Sequence, residues 1–188
     1  MSAPGSLFVR WRVRTGYPLA IICLWLAWRA HPTVTSILFG TVIGVIGLLI
    51  RASAAGYLHK NDQLATSGPY ARTRNPLYFG SSILALGAAI AMNSWLSAAL
   101  LLFYFAFVYT LVMRREEIEL RGHHGAEFDA YAKSVPLFFP RLTTPKHAGA
   151  AAGTFSWAQY RINHEYQAAL GFFLLLLALV VIWRLHVA

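Results

Sequence analysis

The sequence predicts an all-α fold, a polytopic helical membrane protein with about five transmembrane helices in a single integral membrane domain. Three observations carry this expectation. Of the 188 residues, 57% are hydrophobic and only 12% charged, with a mean hydropathy of +0.52, whereas in a globular domain about a quarter of the residues are charged. The apolar residues are gathered into long uncharged runs, Thr33–Ile50, Asn75–Met113 and Tyr166–Trp183. The 16 Lys and Arg against 7 Asp and Glu give a net charge of +9. Those basic residues flank the apolar runs instead of forming one patch, which points to membrane topology and away from a nucleic-acid partner. The single Cys23 lies inside an apolar run and supports neither an internal disulfide nor a multi-cysteine metal site.

Each element follows from these runs. Arg10, Arg12 and Arg14 precede an apolar stretch from Gly16 to Trp28. Without a small-residue cleavage site it reads as an uncleaved first span, with Arg29 snorkelling and Trp25 and Trp28 at headgroup depth. Thr33–Ile50 is the second span, and Gly40, Gly44 and Gly47 give it a face that lets a neighbouring helix of the same chain approach closely. Arg51, His59, Lys60 and Asp62 then return the chain to water. A polar hinge follows, Ser67–Gly80, with two proline breaks, two arginines and two tyrosines. The 39 uncharged residues from Asn75 to Met113 are close to twice the length one crossing needs, so the run must fold back on itself. Its only polar interruption is Met92-Asn93-Ser94-Trp95, which makes spans three and four a helical hairpin with Asn93-Ser94 at the tip.

Span four is rich in aromatics, Phe103, Tyr104, Phe105, Phe107 and Tyr109, and reads as a lipid-facing or packing surface. It runs on into water through Arg114–Arg121, which holds three of the seven acidic residues. Beyond Gly122 and Gly125, the spacing of Phe128, Tyr131 and Val135 predicts a short helix ending before Pro136. Leu137–Pro140 reads as an interfacial loop, residues 147–154 as Ala/Gly-rich turns, and Trp157, Tyr160 and Ile162 as interfacial. Tyr166–Trp183 is the last span. This places a core at about 57–141, a linker at 142–165 and the final transmembrane helix at 166–185.

Orientation follows from the loops. With the N-terminus inside, fourteen Lys and Arg fall on the cytoplasmic side and only Arg29 and Arg184 on the other. The hinge and the acidic segment then share the cytoplasmic face, and the C-terminus lies opposite. The hinge offers guanidinium groups (Arg72, Arg74), backbone amides around Gly68 and aromatic faces (Tyr70, Tyr78, Phe79), while the helix after span four offers adjacent carboxylates. A ligand that satisfies both halves is zwitterionic and aromatic. S-adenosylmethionine has this chemistry, with a carboxylate for an arginine, ribose hydroxyls and an ammonium for carboxylates, and a sulfonium for an aromatic face. An anionic nucleotide cofactor also remains open from the residues alone.

Taken in order, Ser67-Gly68-Pro69-Tyr70, Arg74-Asn75-Pro76-Leu77-Tyr78, an apolar hairpin, Glu116-Glu117, and Gly125–Tyr131 before Val135-Pro136 resemble the isoprenylcysteine carboxyl methyltransferase and phospholipid methyltransferase superfamily. The resemblance covers about Leu64 to Arg141. It implies an S-adenosylmethionine pocket at the cytoplasmic membrane face, open laterally to a lipid substrate. Carried over, Ser67, Gly68, Pro69, Tyr70, Asn75, Pro76, Leu77, Tyr78 and Glu116 contact the cofactor, with Arg74 and Glu117 close by. Two positions depart from the family pattern. The motif histidine is Asn75, and the arginine that prenylcysteine enzymes place four residues before the first glutamate is Val112.

The implied function is S-adenosylmethionine-dependent methyl transfer to a lipophilic, membrane-partitioned acceptor: a phospholipid amine, or a lipid-linked carboxylate or thiol. Methyl transfer from a sulfonium asks the protein mainly for alignment and exclusion of water. No catalytic residue is required for a carboxylate or thiolate. For an amine, Glu117, Glu119 or His124 are conceivable bases, and Arg74 and Glu117 are the candidates nearest the chemistry. His123 and His124 diverge on a helix and have no accompanying ligand set, so no metal is expected. Two other readings stay open, an NADPH-dependent membrane reductase of the sterol-reductase type and a non-catalytic small membrane carrier or assembly protein.

Overall fold

The computed structural model describes residues 25–26, 28–58, 64–143 and 153–187, and every regular element among them is helical. The expected first span lies almost wholly outside the described residues, as does most of the Ala/Gly-rich stretch at 147–154. The elements are α1 (Val34–Tyr57), a 3-10 turn (Gly68–Ala71), α2 (Pro76–Met92), α3 (Trp95–Tyr104), a π-helical turn (Phe105–Tyr109), α4 (Thr110–Ser134), α5 (Trp157–Ile162) and α6 (Tyr166–Val187). Among the described residues α1, the continuous unit Trp95–Ser134 and α6 are long and apolar enough to cross a membrane, and α2 is a shorter apolar helix.

What this bundle buries identifies its solvent. Along α1 the buried residues include Gly40, Gly44 and Gly47, while Leu38, Phe39, Val42, Ile46 and Leu49 are exposed. In water this pattern would be inverted; in lipid it is the favourable one, because small residues let helices pack and large apolar ones meet the acyl chains. The protein is an integral membrane protein. Helices α1 and α2 run antiparallel with their backbones in contact. A Cβ added to Gly40 would sit 2.5 Å from the Gly87 carbonyl oxygen, and one on Gly47 would sit 2.5 Å from the Leu84 nitrogen. Only glycine fits such an approach, so the small-residue face serves packing within the chain.

The hairpin turn falls where the polar interruption predicts it. Asn93 adopts the left-handed conformation, φ 50 and ψ 46, and ends α2. Its Nδ2 donates to the His31 carbonyl at 3.1 Å, and Ser94 Oγ accepts from the Ser97 amide at 3.3 Å to start α3. Near this end Leu26, Ala30, Met92, Phe172, Leu176 and Leu179 form one core. At the opposite end Leu64, Phe128, Tyr131 and Val135 form a second.

Helix α4 continues through Gly122, and its path changes at Gly125, whose φ of 50 and ψ of −123 are not helical. The expected short helix is therefore joined to the one before it. Redirected at Gly125, it brings Tyr131 back under the hinge, where its hydroxyl donates to the Tyr70 carbonyl at 2.7 Å.

Candidate functional site

The hinge is built by its own residues and by the loop after α4. Gly68 has φ +57, and an added Cβ would meet the Tyr57 ring at 2.7 Å, so this position needs glycine for both conformation and space. Pro69 is the second residue of the 3-10 turn, whose first hydrogen bond runs from the Tyr70 amide to the Ser67 carbonyl at 3.1 Å. The following strand-like segment pairs with residues 136–141: Arg74 N donates to Pro136 O and Arg141 N to Arg72 O, each at 2.9 Å. Thr73 is buried, and its hydroxyl donates to Phe138 O at 2.8 Å. Pro76 opens α2, where the missing amide hydrogen is no loss.

Against this frame the glutamates of α4 meet the hinge side chains. The Tyr78 hydroxyl donates to Glu116 Oε1 at 2.6 Å, and Arg74 Nη1 is ion-paired with Glu117 Oε1. The Tyr109 ring lies 4.8 Å from Tyr78 and 5.5 Å from Tyr104, both edge to face. Two residues of the aromatic-rich span thus turn inward, whereas Phe103 and Phe107 stack on the exposed side. The hinge, the acidic extension and this tyrosine cluster make one wall. Asn75 is placed differently from Tyr78: its Nδ2 donates to the Leu137 carbonyl at 3.0 Å, so its amide braces the loop. Ser67 Oγ reaches the Gly153 carbonyl at 3.3 Å.

The sequence reading missed a second polar constellation. Arg51 was expected to return the chain to water, but α1 continues to Tyr57 and keeps Arg51 within the helix. Its guanidinium holds Glu165 at two points, Nε to Oε2 at 3.0 Å and Nη2 to Oε1 at 2.7 Å, and Nη1 contacts Ser81 Oγ. Glu165 comes from just before α6, 114 residues away in sequence, a separation no local pattern announces. Further contacts dock this C-terminal segment on the end of α1. Asn163 Nδ2 donates to Ala55 O and Leu58 O at 2.9 and 3.0 Å, and Ser156 N donates to Gly56 O at 3.0 Å.

Tyr70 lies where the two constellations meet. Burial raises its phenol well above the ordinary tyrosine value, with further upward pressure from Tyr131, Glu116 and Glu165 and an opposing pull from Arg51. Burial also raises Tyr131, opposed by Arg74. Both are neutral hydrogen-bonding groups at physiological pH.

Other charged residues stay outside this wall. Glu119 is exposed and faces Arg115 at 3.9 Å, one helical turn away. Arg121 pairs with Asp129 at 2.7 Å across the Gly125 break. Arg72 is exposed, and His123 Nδ1 lies 2.8 Å from the Glu119 carbonyl. Among the described residues no group of three or more His, Cys, Asp or Glu is placed to hold a metal ion.

Comparison with known proteins finds sequence relatives and a family. The chain is 34% identical over 118 residues to the nickel-cobalt-cadmium resistance protein NccN of Alcaligenes xylosoxydans xylosoxydans, covering 62% of this chain and 54% of that one. It is 33% identical over 140 residues to the cobalt-zinc-cadmium resistance protein CzcN of Cupriavidus metallidurans, covering 71% and 63%. The alignments thus span less than two thirds of either relative's length. No solved structure matches the chain. Residues 11–127, which include the hinge, the hairpin and Glu116-Glu117, match the phospholipid methyltransferase family, and the chain belongs to that family.

Proposed function

We propose that this protein is an S-adenosylmethionine-dependent methyltransferase acting on a lipophilic acceptor that partitions into the membrane, a phospholipid amine or a lipid-linked carboxylate or thiol. The observation that carries the reading is the joining of the hinge to the acidic extension through Tyr78–Glu116 and Arg74–Glu117. That wall stands at the end of a bundle whose outer surface is apolar, where a lipid and a water-soluble cofactor can meet.

The residues present suit such a cofactor. Arg74 Nε is buried and has no hydrogen-bond partner, an orphan donor that a ligand carboxylate would satisfy. Glu116 and the tyrosines suit the cationic and hydroxyl-bearing parts. S-adenosylmethionine, when bound, supplies the methyl group from its sulfonium. The chain's own contribution is to orient: Tyr78 fixes Glu116, Arg74 fixes Glu117, and the buried Tyr70 and Ala71 of the 3-10 turn exclude water. Of the three conceivable bases Glu117 belongs to the wall, while Glu119 is exposed and paired along its own helix. With an amine acceptor, Glu117 is the base this reading assigns to the released proton.

The charge asymmetry of the loops supports a cytoplasmic N-terminus and site, with the C-terminus opposite. Metal resistance, the trait in both relatives' names, would on this reading act through methylation of a membrane component. The test is to incubate purified protein with isotopically labelled S-adenosylmethionine and a membrane lipid extract. Label recovered in a lipid fraction supports the reading and identifies the acceptor. Absence of both transfer and S-adenosylmethionine binding would overturn it, and binding of NADPH instead would select a reductase.

A further inference from the structure

We propose that Arg51 is the acceptor anchor of this site, a guanidinium that takes the anionic group, phosphate or carboxylate, of a membrane lipid. The proposal rests on the methyltransferase reading for its place in the reaction, and on its own geometry for the binding step.

Three observations support its position. Arg51 lies inside a helix long and apolar enough to cross the membrane, a position where a charge is costly and is kept for function. Its path toward α2 is kept open by Gly80, where an added Cβ would sit 2.8 Å from Arg51 Cγ. Arg51 reaches Ser81, one turn beyond Tyr78 on α2 and about 4.5 Å farther along the helix into the bundle. The cofactor wall therefore stands at the rim, and the arginine meets α2 one turn deeper in the bundle.

The guanidinium is also set to read an oxyanion. It grips Glu165 with two parallel N–H donors, the fork geometry that matches carboxylate and phosphate. Glu165, on the segment between α5 and α6, is largely buried with a side-chain exposure of 11%, and an entering anion takes its place on the fork. Glu165 keeps the arginine paired and oriented until the acceptor arrives.

The experiment uses the full chain in detergent micelles, at an ionic strength that screens exposed charges. Short-chain phosphatidic acid, a short-chain fatty acid, diacylglycerol with matching chains, and inorganic phosphate are titrated, and labelled S-adenosylmethionine binding is measured in parallel. Single Arg51 variants strand Glu165 as a buried charge, so the decisive variant is the double R51Q/E165Q, which removes both charges together. The expected result is saturable binding of the acidic lipids and none of diacylglycerol, with acidic-lipid affinity about tenfold weaker in R51Q/E165Q and cofactor binding unchanged. Arg51→Lys, which keeps the charge and loses the fork, falls between. Equal acidic-lipid binding by wild type and R51Q/E165Q, or none by wild type, overturns the proposal. Inorganic phosphate binding as tightly as the lipid overturns the lipid assignment. If the wild type binds acidic lipid through Arg51 and binds no S-adenosylmethionine, the methyltransferase reading fails alone.

Discussion

The Tyr78 hydroxyl donates to Glu116 Oε1 at 2.6 Å, joining the first turn of α2 to the water-exposed extension of the helix that returns from the hairpin. A phenol bound to a carboxylate is a charge-assisted contact, worth about 1.5–3 kcal/mol. If this contact holds the cofactor wall in shape, Tyr78→Phe and Glu116→Ala weaken S-adenosylmethionine binding by about tenfold or more. Equilibrium binding of labelled cofactor reads this directly, and unchanged affinity in both variants would remove these residues from the site.

Arg74 and Glu117 are both largely buried, with side-chain exposures of 16% and 21%. Removing one partner leaves the other charge poorly solvated, whereas removing both does not. Arg74→Gln and Glu117→Gln are each expected to lower stability by about 1–3 kcal/mol, and the double variant by less than their sum. A double-mutant cycle on unfolding in micelles measures the coupling; strict additivity would show that the pair does not hold the wall together.

The glycines of the helix pair predict opposite outcomes at different places. Gly40→Ala forces a Cβ against the α2 backbone and is expected to destabilise by about 1–3 kcal/mol. Gly122→Ala meets nothing within 4 Å and is expected to stabilise the helix by about 0.5–1 kcal/mol. Gly125→Ala also meets open space, but its positive φ strains any other residue, and a loss of about 1–3 kcal/mol is expected. Thermal unfolding of the three variants separates crowding from backbone strain.

Tyr70 and Tyr131 both have folded-state pKa values raised by burial above the ordinary value of 10.0. In the unfolded chain they ionise near 10.0 while the folded protein keeps its protons, so their contribution is whole below that pH and is lost as pH rises above it. Stability is therefore expected to fall as pH climbs past 10.0. Tyr131→Phe removes one of the two titrating groups together with the hydrogen bond to Tyr70 O, giving lower stability at neutral pH and a shallower alkaline slope. Unfolding midpoints across pH 9–12 would check this, about the range where tyrosines titrate, and an unchanged slope in Tyr131→Phe would contradict it.

Much of the architecture was legible in the sequence, because membrane depth is a one-dimensional property. The uncharged runs marked α1, the α2–α3 hairpin and α6, Asn93-Ser94 marked the turn, and Gly40, Gly44 and Gly47 marked the face that α2 would approach. Run lengths alone brought Ser67–Gly80 and Glu116-Glu117 to the same end of the bundle.

Tertiary structure decided what faces what around each helix axis. Hydropathy gives depth but not rotation: the glycine contact fixes α1 against α2, and the π-helical turn Phe105–Tyr109 precedes the glutamates on the returning helix. That rotation sends Glu116 to Tyr78 and Glu117 to Arg74, while Glu119, on the same short stretch, stays on its own helix with Arg115. It turns Asn75 to the Leu137 carbonyl. It also draws Arg51 inward to Glu165, although an arginine closing an apolar run reads in sequence as a return to water. The hinge and the acidic segment were therefore visible as two parts of one membrane face; their closure into a wall required the packed helices.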